Sequence, residues 1–102
     1  MLEIGWGDGG KVVITGRFDA SQADKAEAFL SGIQASVDVD FHDLQYISSL
    51  GLGILLRTQK RLAASGATLR LVRVSRHIRE IFRFSGFDRI FPIEEEASEQ
   101  AR

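Results

Sequence analysis

Two hydrophobic periods take turns along this chain. Runs of period two, "KVVITG", "SVDVDF" and "ATLRLVRV", are separated by stretches in which apolar residues return every three or four positions. Strands that alternate with helices pair mostly in parallel, because each helix carries the chain back to the edge where the next strand must start. A first apolar run, "LEIGW", reaches "KVVITG" through "GDGG", and Asp8-Gly9-Gly10 is turn chemistry that adds an antiparallel hairpin in front. The first helix is expected over Ser21–Ala35, capped by Ser21, with Ala23, Ala26, Phe29, Leu30 and Ile33 on its apolar face. The second is expected over Gly51–Ser65, ending before Gly66. The third starts at a Ser75 cap, buries Ile78, Ile81 and Phe82, and stops at Gly86. "DRIFPI" reads as a short edge strand, since Pro92 has no N–H to give a central one. The expectation is one α/β domain over residues 1–93, in the order ββαβαβα(β), on a mixed, mostly parallel sheet of four to five strands. A polar tail follows over 94–102.

Composition narrows the function classes. With 102 residues there is room for one core. No apolar run nears the ~18 residues of a membrane span, and the first residues lack the basic and apolar regions of a signal peptide, so a cytoplasmic domain without membrane insertion is expected. Cysteine is absent, which removes disulfides, thiol nucleophiles and cysteine-based metal sites; His42 and His77 are too few and too separated to suggest a metal. No cofactor is expected. The net charge of −1 hides an asymmetry: residues 1–56 carry eight acids and three bases, residues 57–102 ten bases and six acids. The basic half suits either an acidic partner or solvated helix faces. The second is favoured, and direct nucleic-acid binding is not expected, because no aromatic stacking platform accompanies the arginines.

The segment "YISSLGLGILL" is harder to explain as fold alone. A parallel sheet offers its loops at the carboxyl ends of its strands, and the loop from Asp43 to Leu50 is one of these, running straight into the second helix. Ser48 and Ser49 therefore stand at a helix N-terminus, where one of them can cap and where negative charge is favoured. Gly51 and Gly53 in a first turn each cost about 1 kcal/mol against alanine and imply that something approaches closely. Leu50, Leu52 and Ile54 cannot all point inward, and an exposed leucine beside a serine suits a protein-binding patch. Enzymatic patterns fail. Leu56 stands where G-x-G-x-x-G needs its third glycine, no Gly-Lys-Ser/Thr follows, and there is no G-x-S-x-G elbow. A non-enzymatic role is expected.

In order and spacing, "GRFDASQADKAEAFL", "VDFHDLQYISSLGLGILL" and "GATLRLVRVSRHIREIFRFSGFDRIFPI" resemble the STAS domain of bacterial anti-sigma factor antagonists over nearly the whole chain. The family's loop after the second strand corresponds to Gly16–Asp19, its Asp-Leu segment to Asp43-Leu44, its helix-opening motif to Ser48–Gly53, and its later stop to Ser85-Gly86-Phe87. The resemblance implies a protein that binds a GHKL-type serine kinase, often itself an anti-sigma factor, while unphosphorylated. Phosphorylation by that kinase releases it, and a PP2C-type phosphatase resets it. By the same match Ser49 falls on the phosphoacceptor, with Asp19 near it, and the partner-binding surface is expected from Asp19, Ser48, Leu50, Gly51, Leu52 and Gly53, the two glycines giving the kinase access to Ser49. The chain departs from the commonest pattern by having Ser48 before the acceptor, where aspartate is usual, and Leu50 after it. Ser48 is thus a second candidate acceptor. Two other roles remain open: a constitutive STAS scaffold, and a cytoplasmic STAS subunit of a lipid-transport complex.

Overall fold

The computed structural model describes residues 1–94, so that all but the first residue of the expected tail lies outside the described residues. Strands β1 (Leu2–Trp6) and β2 (Val12–Phe18) form the hairpin around a 3-10 turn at Asp8–Gly10. There follow α1 (Ala23–Leu30), β3 (Val37–Asp40), β4 (Leu44–Ile47), α2 (Ser49–Ala63), β5 (Leu69–Val72) and α3 (Arg76–Ser85). The sheet runs β1-β2-β3-β5, antiparallel only between β1 and β2.

The loop expected between Asp43 and Leu50 holds a strand. β3 pairs with the start of β2, Val12 opposite Val39, and β4 pairs with its end, Phe18 opposite Ile47, so the two short strands succeed one another along β2. A tight turn separates them, closed by the Leu44 N–H on the Phe41 carbonyl at 3.0 Å. The register slips between Gly16 and Arg17. Gly16 permits this: its φ is +91°, and a Cβ there would stand 2.1 Å from the Met1 carbonyl oxygen. "LQYI" escapes a periodicity reading because four residues are too few to show a period and they run directly into a helix.

Other differences are local. α1 is two turns long instead of four, since Gly32 follows soon after Leu30, and Gln22 stands at its N-cap without a side-chain capping bond; Ser21 donates instead to Asp19. α2 begins two residues earlier than expected. The last strand reduces to a single parallel bridge, Leu71 with Ile93, the Pro92 carbonyl accepting from the Leu71 N–H at 2.9 Å. Ser75 caps α3 through the Ile78 N–H, and Gly86 ends it at φ +80°.

The core lies on one face of the sheet. Val12, Ile14 and Phe18 of β2 join Val39, Leu69 and Leu71 under Leu52, Leu55 and Leu62 of α2 and Ile78 and Phe82 of α3. Phe82 packs edge-on to Phe91, with ring centroids 5.5 Å apart. Gln59, buried in α2, accepts from the Leu69 N–H at 2.8 Å and donates to the Ile90 carbonyl at 3.1 Å, tying helix, sheet and chain end together.

Residues on the opposite face are held by charge. The two aspartates of β3 alternate with valines, but only Asp38 is partly open, paired with Arg70. Asp40 is buried. One of its oxygens accepts from the His42 N–H at 2.8 Å, and the other meets Lys11 Nζ at 3.0 Å and Arg73 Nε at 3.1 Å. Burial pushes its carboxyl up, but the His42 and Lys11 bonds and the Arg73 charge outweigh this and hold it below the ordinary carboxylate value. The basic half is also used internally: Arg57 pairs with Glu27, and Arg61 donates to the Leu30 and Ile33 carbonyls at the end of α1.

Asp40→Asn lowers stability at pH 7 by about 2 kcal/mol. Because the folded-state pKa of Asp40 lies below the unfolded one, its contribution is present above the ordinary carboxylate value and disappears as pH falls through the folded value. In urea titrations the gap between the two proteins therefore begins to narrow as pH falls below about 4; a gap that does not shrink on further acidification contradicts the assignment. In α2, Gly53 faces open space, whereas a Cβ on Gly51 would stand 3.0 Å from the Phe18 ring and 3.1 Å from Ile47. Gly53→Ala raises stability by roughly 0.5–1 kcal/mol, and Gly51→Leu lowers it by about 1–3 kcal/mol, both read from urea midpoints.

Candidate functional site

The end of β2 and the start of α2 are held together by the chain itself. The Ser48 N–H donates to the Phe18 carbonyl at 2.8 Å. Asp19, the next residue after Phe18, is thereby brought beside the start of α2. Its carboxylate accepts from the Ser21 hydroxyl at 2.7 Å. That bond is the main reason its pKa lies below the ordinary value; desolvation opposes it, and the Ser21 N–H, the Met1 amino group and Arg17 each add a smaller lowering.

The two serines differ in what their hydroxyls do. Ser48 is extended (φ −82°, ψ 168°) and is the N-cap, its Oγ accepting from the Gly51 N–H at 3.1 Å, while its carbonyl accepts from the Leu52 N–H at 2.9 Å. Ser49 is the first helical residue. It is exposed, and among the described residues its hydroxyl makes no hydrogen bond. Its position in the first turn places it beside backbone N–H groups that the helix cannot satisfy internally. α2 has no acidic residue in that turn.

Of the expected surface, part faces out and part faces in. Leu50 is 44% exposed. Gly53 lies one turn beyond Ser49 and Leu50 on the same side, with no atom near a would-be Cβ. Gly51 and Leu52 are buried. The close approach that Gly51 permits therefore comes from inside: Phe18 and Ile47 press against the helix where a side chain would stand. Gly51 and Leu52 hold α2 to the sheet, which corrects the expectation that they line an outer surface. Ser48, half-buried and engaged as the cap, presents less of itself than Ser49.

One pair at this end goes unseen in the sequence. Arg17 lies opposite Tyr46 across β2 and β4, its guanidinium 4.4 Å from the ring centroid. The signal was Arg17 inside "GRFD", but it means something only once Tyr46 is known to be in a strand. Among the described residues there is no group of three or more His, Asp or Glu side chains suited to a metal ion, and no helix long and apolar enough to cross a membrane.

Comparison with known proteins agrees with this geometry. Over 74 residues the chain is 39% identical to BtrV of Bordetella bronchiseptica, provisionally named an anti-sigma factor antagonist; the match covers 72% of this chain but only 58% of that protein. The unphosphorylated form of the anti-sigma factor antagonist SpoIIAA superposes with a TM-score of 0.71 at 22% identity, over 97% of this chain and 92% of that one. The phosphorylated form of SpoIIAA, a Bacillus cell fate determinant, does so with a TM-score of 0.62 at 21% identity, over the whole of both chains. At these identities the two structures attest the fold. A family model described as "Mlab, STAS domain" matches residues 6–93, nearly the whole described chain, and the protein accordingly belongs to the STAS-domain family.

Proposed function

We propose that this protein is a partner-switching regulator of the anti-sigma factor antagonist kind. Unphosphorylated, it binds a GHKL-type serine kinase that is also an anti-sigma factor; phosphorylation of Ser49 releases it, and a PP2C-type phosphatase restores it. The observation that carries this reading is the unequal state of two adjacent hydroxyls. Ser48 is engaged in capping α2, and Ser49 is exposed with its hydroxyl uncommitted. The kinase transfers the γ-phosphoryl group of ATP to Ser49 Oγ; ADP leaves and the hydroxyl proton passes to a base of the kinase.

The physics of the helix start suits such a switch. A phosphoryl group adds about −1.5 to −2 charges. At the first residue of α2 the helix dipole and free N–H groups favour that charge, so the domain keeps its fold. In a close-packed interface the same charge meets desolvation and like-charge repulsion. Leu50 supplies an apolar anchor beside the acceptor, and Gly53 leaves the next turn open for a partner to descend on. Asp19 follows Phe18, whose carbonyl receives the Ser48 N–H, and so supplies a carboxylate, its pKa held low by Ser21, at the edge where α2 starts.

The test is affinity for GHKL-type kinases of the native host. Ser49→Ala is expected to bind as the wild type does. Ser49→Asp is expected to bind about tenfold more weakly, and Gly53→Arg, which folds, to bind weakly too. Equal affinity for all four proteins contradicts the switch. It favours a constitutive scaffold or a lipid-transport subunit, neither of which needs a hydroxyl at position 49.

A further inference from the structure

We propose that this protein pairs with a second copy of itself through β1, edge to edge and antiparallel, so that the two sheets become one. The inference goes beyond the reading of Ser49 and does not depend on it.

The first argument is an open edge. β1 ends the sheet on its side, bonded only to β2, whereas the other end, β5, is partly covered by the chain itself through the bridge from Leu71 to Ile93. In an antiparallel ladder successive residues turn their N–H and C=O groups alternately toward the neighbouring strand and away from it. The Arg17 N–H donates to the Met1 carbonyl at 3.0 Å, and the Gly7 N–H to the Lys11 carbonyl at 2.7 Å. Alternation then turns Glu3 and Gly5 toward β2 as well, and Leu2, Ile4 and Trp6 outward. The outward groups of Leu2 are taken: its N–H donates to Gln22 Oε1 at 3.3 Å, and its carbonyl accepts from Lys25 Nζ at 2.6 Å. Those of Ile4 and Trp6 make no hydrogen bond among the described residues. β1 also lacks the devices that blunt an edge. It has no proline, its register with β2 is unbroken, and Glu3 is its one charge.

The second argument is that this edge complements itself. Two copies paired about Gly5 set Ile4 of each opposite Trp6 of the other, so that every open N–H meets an open carbonyl. Gly5 faces itself on the twofold axis, with no atom within 4 Å of a would-be Cβ. Trp6 is 60% exposed, its ring 5.7 Å from that of Phe29; the pairing lays Ile4 of the second copy beside it on the same face. Charge follows the same register. Gly7 is extended, so the strand carries on to Asp8, which comes to stand by Leu2 of the second copy, where Lys25 lies on the carbonyl. Among the described residues neither Asp8 nor Lys25 has an opposite charge within ion-pair distance. Glu3 meets Gly7, so like charges are not opposed. Pairing about Ile4 instead would aim Trp6 at Leu2, whose groups are already bonded.

The chain has no cysteine, so single introduced cysteines report the pairing. Opposed residues of a non-hydrogen-bonded antiparallel pair have Cα atoms about 4.5 Å apart, within reach of a disulfide. Under mild oxidation Gly5→Cys is expected to become a linked dimer, and Glu3→Cys, which lies out of register with its own copy, to remain monomeric. Analytical ultracentrifugation of the wild type is expected to show a mass that rises with concentration toward two chains. Lys25→Glu, at an exposed position, is expected to weaken the dimer about tenfold, and adding Asp8→Lys to restore it, a recovery that damage to the fold would not give. A monomeric mass for the wild type at every concentration overturns the proposal. So does Glu3→Cys crosslinking as readily as Gly5→Cys, or a monomer that takes an unrelated extended peptide on β1 in place of its own copy. These measurements do not read Ser49, so their failure leaves the proposed function standing, and failure of the kinase test leaves the dimer standing.

Discussion

The site depends on how α2 is seated on the end of β2. One hydrogen bond, from the Ser48 N–H to the Phe18 carbonyl, fixes where the helix begins, and the missing side chain of Gly51 lets it lie directly against Phe18 and Ile47. The consequences reach the surface. With Ser48 committed as the cap, the helix turns Ser49 and Leu50 outward and Leu52 inward. A residue with a side chain at position 51 would lift the helix from the sheet and change which hydroxyl is presented. The glycine that seems to serve a partner serves the fold, and through the fold it decides what a partner sees.

Charge is distributed with the same economy. The basic second half of the chain answers the acidic first half within the domain: Arg70 and Arg73 of the β5 region meet Asp38 and Asp40 of β3, Arg57 of α2 meets Glu27 of α1, and Arg61 closes the end of α1. An asymmetry that could have signified an acidic partner is in part absorbed by packing. Arg17 is stacked on Tyr46 rather than paired with a carboxylate.

Much of this was legible in the residues. The hairpin turn and the third helix with its Ser75 cap and Gly86 stop follow from local chemistry and periodicity, because each is decided within a few neighbouring positions. What escaped is decided at a distance. β4 is four residues long, and pairing with β2 makes it a strand rather than any pattern of its own. The alternation in "SVDVDF" sends Asp40 to one face, but its burial comes from Lys11, His42 and Arg73, which lie on three other segments. The serine–glycine segment was recognisable as a site by its position at a helix start. Its division into an inner and an outer glycine required Phe18 to be in place, and Phe18 lies far upstream of Gly51 in the sequence.

The central claim is that the fold consumes one serine and leaves its neighbour for modification. Phosphosite mapping by mass spectrometry tests it most directly, after incubation of the pure protein with ATP and a lysate of its native host. The account predicts phosphate on Ser49, and its loss from the chain in Ser49→Ala. Phosphate on Ser48 in the wild type, or labelling undiminished in Ser49→Ala, would contradict it.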